Sequence, residues 1–421
     1  MQPRLAAIRA AFPSEGLFAE KEWLLSPEPF SITPRQHEEL QKLGYRLLLF
    51  QRACNELYFR SIKAKAPAWI ADYVDRGKPA ELIELGRRKE TRADLPTVIR
   101  PDLVVTEEGY AIAEIDTVPG GIGVTAWLNQ TYSRFGTYDV IGGERAMIDG
   151  FSAIVPEGRI LVSNEAATYR PEMRWIARES RGALRVEEAE SLETPASHYR
   201  FYELFDLPNL PSSTLAASAP VSPPFKAFLE EKLWFALFWS RPLREFWRRE
   251  LSERHWLELQ KVIPYTWVID PTPLPHHAVI PGLDIVDWRE LGAFSQKQRG
   301  LVLKISGFSE IGWGSRSVKI GSDLPHQEWQ AAIERAIDDF PHHPWILQKF
   351  HHARVLEHPY FDPATSEEHK MRGRARLCPY YFVREGKAVL SGALATIVPS
   401  DKKILHGMKD AILVPTVVGA E

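Results

Sequence analysis

The segment from Val98 to Asp116 constrains this chain more than any other, because its pattern fits two strands around the turn Glu107-Glu108-Gly109. Gly109 at the last position of a three-residue loop suits the left-handed conformation such a loop needs. That loop sets Asp102 across from Glu114 and Arg100 across from Asp116. Side chains alternate along strands, so these four share one face. The other face carries Leu103, Val105, Ala111, Ala113 and Ile115, all apolar. Like charges facing one another in a sheet are destabilising by about 0.2–1 kcal/mol per pair. A divalent cation reverses that penalty: Mg²⁺ takes a few carboxylate oxygens, supplemented by water and nucleotide phosphates. Arg100 can meanwhile hold a phosphate bidentately. A solvated strand face with a salt bridge accounts for the same residues, so the segment alone leaves both readings open.

Composition narrows the class. A chain of 421 residues has room for two or three packed units. Its 52 Lys+Arg against 55 Asp+Glu lack the basic excess of a dedicated nucleic-acid binder. With 44% hydrophobic and 25% charged residues, wholesale disorder is excluded. Cys54 and Cys378 cannot build a disulfide framework or a C-x-x-C zinc site. The apolar run Leu233 to Trp239 is far short of a membrane span, and Met1 to Ala11 lacks a signal-peptide core. These features predict a soluble, cytoplasmic protein.

Along the chain, Ile32 to about Lys65 predicts a long helix, with Thr33 as cap and Pro34 in its first turn. Leu40, Leu43, Leu47, Leu48, Ala53 and Leu57 form its apolar face. Shorter helices follow near 67–76 and 80–88. The Gly-rich passage Pro119 to Gly123 leads into a helix, and Arg159 to Ser180 reads as strand then helix. Leu207 to Pro224 reads as a loop or linker, and the Trp-rich stretch Phe225 to Lys261 as mostly helical core. From Leu301 strands return: Leu301–Ile305, Ser317–Ile320, Trp345–Phe350, and a pair, Arg374–Val383 with Ala388–Val398, about Glu385-Gly386.

Three further constellations carry possible chemistry. Lys304 ends a strand before a loop with Gly307, Gly312 and Gly314, where a lysine can reach phosphates and loop amides can cover them. The pattern is neither a P-loop nor a dinucleotide fingerprint, and a glycine hairpin that simply turns explains it equally. Trp345-Ile346-Leu347-Gln348-Lys349-Phe350 can supply a second lysine and backbone contacts to a base, although most such lysines only solubilise an edge. Arg374, Arg376, Lys402, Lys403, His406 and Lys409 form either an anion site or a solvated basic face. The pairs His276-His277, His342-His343 and His351-His352 point to opposite faces if extended, which disfavours chelation. No G-x-S-x-G motif supports nucleophilic catalysis.

Taken in order, the C-terminal half resembles the nucleotide-binding part of the ATP-grasp superfamily: a lysine strand, a Gly-rich covering loop, and a hinge strand ending in Gln348-Lys349. In ordinary members the magnesium carboxylates follow those lysines, whereas here they come about 190 residues before Lys304. That order resembles the circularly permuted branch, and specifically the synthetase domain of glutathionylspermidine synthases. The family's Arg-x-Asp, then Glu with an acidic or amide residue two further on, is matched by Arg100-Pro101-Asp102 and Glu114-Ile115-Asp116. The family usually has Asn at the position of Asp116. It continues with a Thr-Pro-Thr-like run where this chain has Thr117-Val118-Pro119-Gly120-Gly121. Its Lys-Pro-x-x-Gly-Arg form is replaced here by Lys304-Ile305-Ser306-Gly307, and the first 90 residues read as helices rather than as an amidase domain.

The resemblance implies an α+β fold of the ATP-grasp type, circularly permuted, with mixed and antiparallel sheets flanked by helices. Its parts would be a helical N-terminal segment (1–90), an α/β part with the Mg²⁺-binding hairpin (91–206), a linker and Trp-rich helical part (207–300) and a nucleotide-binding part (301–421). It further implies an ATP-dependent carboxylate–amine ligase working through an acyl phosphate on a small-molecule acid and amine, with no nucleic-acid or membrane partner. Asp102, Glu114 and Asp116 would hold Mg²⁺, and Arg100 would stabilise the transferring phosphoryl group. Lys304, Gly307, Gly312, Gly314, Gln348 and Lys349 would contact ATP. The alternative is a catalytically inactive ATP-binding or scaffold protein of the same fold.

Overall fold

Thr33 and Gln36 start the longest helix. Thr33 Oγ1 accepts the Gln36 N–H at 3.2 Å, and Gln36 Oε1 accepts the Thr33 N–H at 2.9 Å, a reciprocal capping box. The helix runs Pro34–Ile62, and its expected stripe, Leu40 through Leu57, is buried. Gly44 on this helix has a steric reason: a Cβ there would stand 2.4 Å from the Tyr381 ring, whose hydroxyl donates to Leu40 O at 2.7 Å. The computed structural model describes residues 3–13, 22–215, 219–312, 316–405 and 409–419. Gly314 and His406 lie outside the described residues.

The chain sorts into two units. The first comprises Met1–Leu48, Ala93–Phe225 and Ala353–Glu421; the second comprises Leu49–Arg92 and Lys226–His352. Among the described residues no helix is long and apolar enough to cross a membrane.

In the first unit an eight-stranded sheet runs in the order Phe30–Ile32, Ile412–Val418, Lys387–Pro399, Glu368–Arg384, Val98–Val105, Tyr110–Asp116. Val355–Phe361 adds beside Glu368–Arg384, and Asp139–Val140 beside Ile412–Val418. The first pair is parallel and the others antiparallel, so the sheet is mixed. A second, all-parallel sheet orders Arg185–Glu188, Arg159–Val162, His198–Phe201 and Val221–Ser222. Leu207 to Pro224 is more than a tether: it makes 3₁₀ turns that bury Leu207, Leu210 and Thr214 before joining this sheet.

The second unit holds an antiparallel sheet ordered Lys319–Ile320, Leu301–Ile305, Trp345–Lys349, Thr266–Val268. Leu301, Leu303, Ile305, Trp345 and Leu347 pack with Trp329, Ile333, Ala336 and Ile337 of the helix His326–Asp338. The Trp-rich stretch forms helices Leu233–Trp239 and Arg244–Val262, and Trp234, Phe238, Trp247 and Trp256 are buried core. Residues 301–421, read from the sequence as one part, are thus shared: 301–352 belong to the second unit and 353–421 to the first. Strand pairing is the physical reason, because Glu368–Arg384 bonds directly to Val98–Val105.

Candidate functional site

The acidic hairpin reaches its expected pairing by an unexpected route. Val105 pairs with Tyr110, so the loop has four residues, Thr106–Gly109, closed by the Thr106 N–H to Gly109 O at 2.9 Å. A bulge at Ala113, between the Leu103–Ile112 and Asp102–Glu114 pairs, then shifts the register by one. Asp102 therefore does face Glu114, and Arg100 does face Asp116. The opposite face differs from expectation: the bulge puts Tyr110 and Ile112, rather than Ala111 and Ala113, on the side of Leu103.

The neighbouring strand extends the charged face. Arg376 pairs with Val104 and Leu377 with Leu103, so alternation brings Arg376, Cys378 and Tyr380 onto the side of Asp102. Arg100 Nη1 bonds Asp102 Oδ1, and Arg100 Nη2 bonds Asp116 Oδ2 at 2.6 Å. Arg376 Nη1 bonds Asp102 Oδ2 at 2.7 Å, and the Cys378 thiol donates to Asp102 Oδ1 at 3.3 Å. Asp116 Oδ1 also accepts the Val118 N–H at 2.9 Å. Asp102 is buried, whereas Glu114 and Asp116 are half-buried. Burial opposes a charge on Arg100, but Asp102 and Asp116 outweigh it and hold the guanidinium's pKa well above its ordinary value. Burial pushes the Cys378 pKa up to about 11, so it stands as a thiol donor rather than a thiolate.

The fit of a metal ion follows from this donor set. Three carboxylates against two guanidiniums leave net negative charge, and carboxylate oxygens are the donors Mg²⁺ prefers. Among the described residues, however, no group of three His, Cys, Asp or Glu side chains is gathered closely enough to form a cage. The donors fit Mg²⁺ in kind, with Asp102 already engaged by both arginines and Glu114 and Asp116 the less buried of the three.

In the second unit, Lys304 pairs with Ile346 and Val302 with Gln348, so Lys304 and Gln348 share the sheet face opposite the apolar core. The buried Lys304 Nζ donates to Gln348 Oε1 at 3.0 Å, and Gln348 Nε2 to Thr266 Oγ1 at 3.2 Å. Lys349 is exposed at the strand end and alternates to the other face, so the structure joins Lys304 with Gln348 but not with Lys349. Gly307 follows Ser306 at the loop's start, and Gly312 closes a 3₁₀ turn, Glu310–Gly312, against Ile305.

Sequence reasoning left Arg376 open and missed Cys378 and Tyr380. The signal was the run Arg374-x-Arg376-x-Cys378-x-Tyr380, polar at every second position between the buried Ala375, Leu377 and Pro379. Arg374 is half-buried by residue, and its Nη1 bonds Lys402 O at 3.0 Å. Also missed were Lys78 and Glu231, which meet at 2.5 Å beneath the Gly-rich loop.

No protein-family model and no curated protein matches this chain. Among solved structures, its fold is similar to that of a glutathione synthetase-like effector from Globodera pallida, in apo form. The TM-score is 0.56 at 13% identity, over 99% of this chain and 96% of that one. A gamma-glutamylcysteine synthetase candidate from Methylobacillus flagellatus KT superposes with a TM-score of 0.40 at 13% identity, over 89% of this chain and 85% of that one. The architecture is mixed α/β and similar in fold to the first of these structures.

Proposed function

We propose that this chain is an ATP- and Mg²⁺-dependent carboxylate–amine ligase of the circularly permuted ATP-grasp type, close in site layout to glutathionylspermidine synthases. The observation that carries the reading is the bulged hairpin register, which sets Arg100, Asp102, Glu114 and Asp116 on one face. Similarity to a glutathione synthetase-like fold supports it.

A substrate carboxylate oxygen attacks the γ-phosphorus, the bond to the β-phosphate oxygen breaks, and ADP leaves. The amine nitrogen then attacks the acyl carbon, inorganic phosphate departs with the carbon–oxygen electrons, and the nitrogen loses a proton to give the amide. Glu114 and Asp116, the less buried carboxylates, would hold Mg²⁺, which would supply charge neutralisation on the phosphates, while Asp102 stays engaged by Arg100 and Arg376. Arg100, charged throughout the accessible pH range, stabilises the oxygens of the transferring group. Arg376 shares Asp102 with Arg100 and keeps that carboxylate oriented. Lys304 would meet the phosphates beside the Gln348 side chain, without Lys349, which alternates to the other face of the sheet. The loop that starts at Gly307 would cover the phosphates and keep water from the acyl phosphate.

Hydroxylamine tests this reading, because it intercepts an acyl phosphate as a hydroxamate. Incubated with Mg²⁺-ATP and a panel of small carboxylic acids, the protein is expected to give hydroxamate and ADP in equal amounts with at least one acid. ADP formed without hydroxamate for every acid, in the presence of hydroxylamine, contradicts an acyl phosphate. One observation favours the scaffold alternative: the lysine loop departs from the family's Lys-Pro-x-x-Gly-Arg form. That alternative predicts Mg²⁺-ATP binding with no ADP release across the same panel.

A further inference from the structure

We infer that Lys78, Glu231 and Ser306 are positioning residues that fix where the Gly-rich loop leaves the Lys304 strand, and thereby set nucleotide affinity; this rests on reading that loop as the cover over the phosphates. The side chains of Lys78 and Glu231 are only 2% and 3% exposed. Lys78 Nζ bonds Glu231 Oε1 at 2.5 Å and Val74 O at 2.5 Å. The other carboxylate oxygen, Glu231 Oε2, accepts the hydroxyl of Ser306, two residues beyond Lys304.

Ser306 spends every polar atom on this junction. Its hydroxyl accepts the Leu233 N–H at 2.9 Å, its carbonyl accepts the Lys232 N–H at 2.9 Å, and its own N–H donates to Pro344 O at 2.9 Å. A Cβ at Gly307 would stand 2.9 Å from the Glu231 carboxyl group and 3.1 Å from Glu230 O, so a larger residue there would press on this same carboxylate. The Lys78 ammonium then lies 5.6 Å from the centre of the Phe308 ring. Lys78 itself is held in place by Gly77, at φ 75, where a Cβ would collide with His342 O. Segments around residues 77, 231 and 343 thus converge on the first two residues of the loop.

A buried ion pair is weak evidence for stability, since well-packed apolar residues of similar volume serve as well or better. An apolar pair cannot accept the Ser306 hydroxyl. What the charged pair adds is direction: it holds Ser306 and Gly307, where the strand gives way to the loop, in one orientation, which lowers the ordering cost of binding there.

The test separates stability from affinity in the full-length protein. Binding of a non-hydrolysable ATP analogue with Mg²⁺ is measured by calorimetry alongside the melting temperature, for wild type, Ser306→Ala and Glu231→Gln. Ser306→Ala is expected to melt cooperatively, a few degrees below wild type because the Leu233 N–H and the Glu231 carboxylate lose a partner, and to bind about tenfold more weakly. Glu231→Gln keeps an oxygen acceptor for Ser306 but strands the Lys78 charge, so it should lose stability while retaining most of the affinity. The apolar double replacement Lys78→Met with Glu231→Leu should recover stability and still bind weakly. Wild-type affinity in both Ser306→Ala and the double variant overturns the inference while leaving the ligase reading intact. A wild-type protein that binds no analogue overturns that reading, and this inference falls with it.

Discussion

Asp102 is held by two guanidiniums and a thiol within one buried patch. Asp102→Asn removes the carboxylate that Arg100 and Arg376 share and leaves buried positive charge under-compensated. The expected loss is about 3–5 kcal/mol, read as a lower urea midpoint at unchanged slope. An unchanged midpoint would mean the cluster is far wetter than its burial implies. Two other side chains in the first unit set a pH dependence. Burial pushes the pKa of His358 and of His198 down to about 4. His358 bonds Ser26 Oγ and Glu28 O, and His198 bonds Ala196 O and the Tyr202 hydroxyl. Each is neutral when folded but titrates near 6.5 when unfolded, so the unfolded chain binds the extra proton between these values. Their stabilisation is complete above pH 6.5 and is lost as pH falls towards 4, by up to about 3 kcal/mol each. The melting temperature should decline through that window, and the His358→Gln variant should decline less steeply. Equal slopes in the two proteins would remove His358 from the account.

At the scale of elements, the hairpin shows what alternation can and cannot reveal. Which residues would share a charged face was legible, because Arg100, Asp102, Glu114 and Asp116 recur at every second position. The bulge was not, since Ala113 is an ordinary strand residue and nothing local announces that it goes unpaired. The long helix was fully legible through its cap and stripe, and the pair about Glu385-Gly386 through its positive-φ turn, at 49° and 75°. The strands Val355–Phe361 and Ile412–Val418 were missed: the first is half exposed and broken by Pro359, the second interrupted by Pro415. The Gly-rich passage after the hairpin has a packing cause. Gly121, at φ 85, precedes the helix Ile122–Ser133, and the buried Glu172 carboxylate accepts the Gly121 and Val124 N–H groups at 3.0 and 3.2 Å. The chain's own carboxylate thus fills a helix start of the kind that elsewhere binds anions. A Cβ at Gly123 would stand 2.6 Å from Glu172 O, so Gly123→Ala should cost about 1–3 kcal/mol by chemical denaturation. A neutral result would show that the helix Arg170–Glu179 can move aside.

For the whole molecule, the pairing of Glu368–Arg384 with the hairpin joins residues more than two hundred positions apart, which no local pattern could disclose. The division into two units was only partly legible: the chain changes unit at Phe225, just after the Pro-rich stretch Leu207 to Pro224, but also inside the helix Pro34–Ile62 and after Arg92 and His352, where no linker composition marks it. The lysine strand was recognisable from Lys304 and Gln348 alone, but its support was not, since Lys78 and Glu231 sit in segments without any motif. The proposed ATP-consuming reaction calls on both the acidic hairpin and the lysine strand. ADP release from Mg²⁺-ATP, measured side by side for wild type, Glu114→Gln and Lys304→Met with the acid that yields hydroxamate, tests it most directly. Loss of at least about a hundredfold in both variants, each still melting cooperatively, is the expected result. Wild-type ADP release by either variant would contradict it.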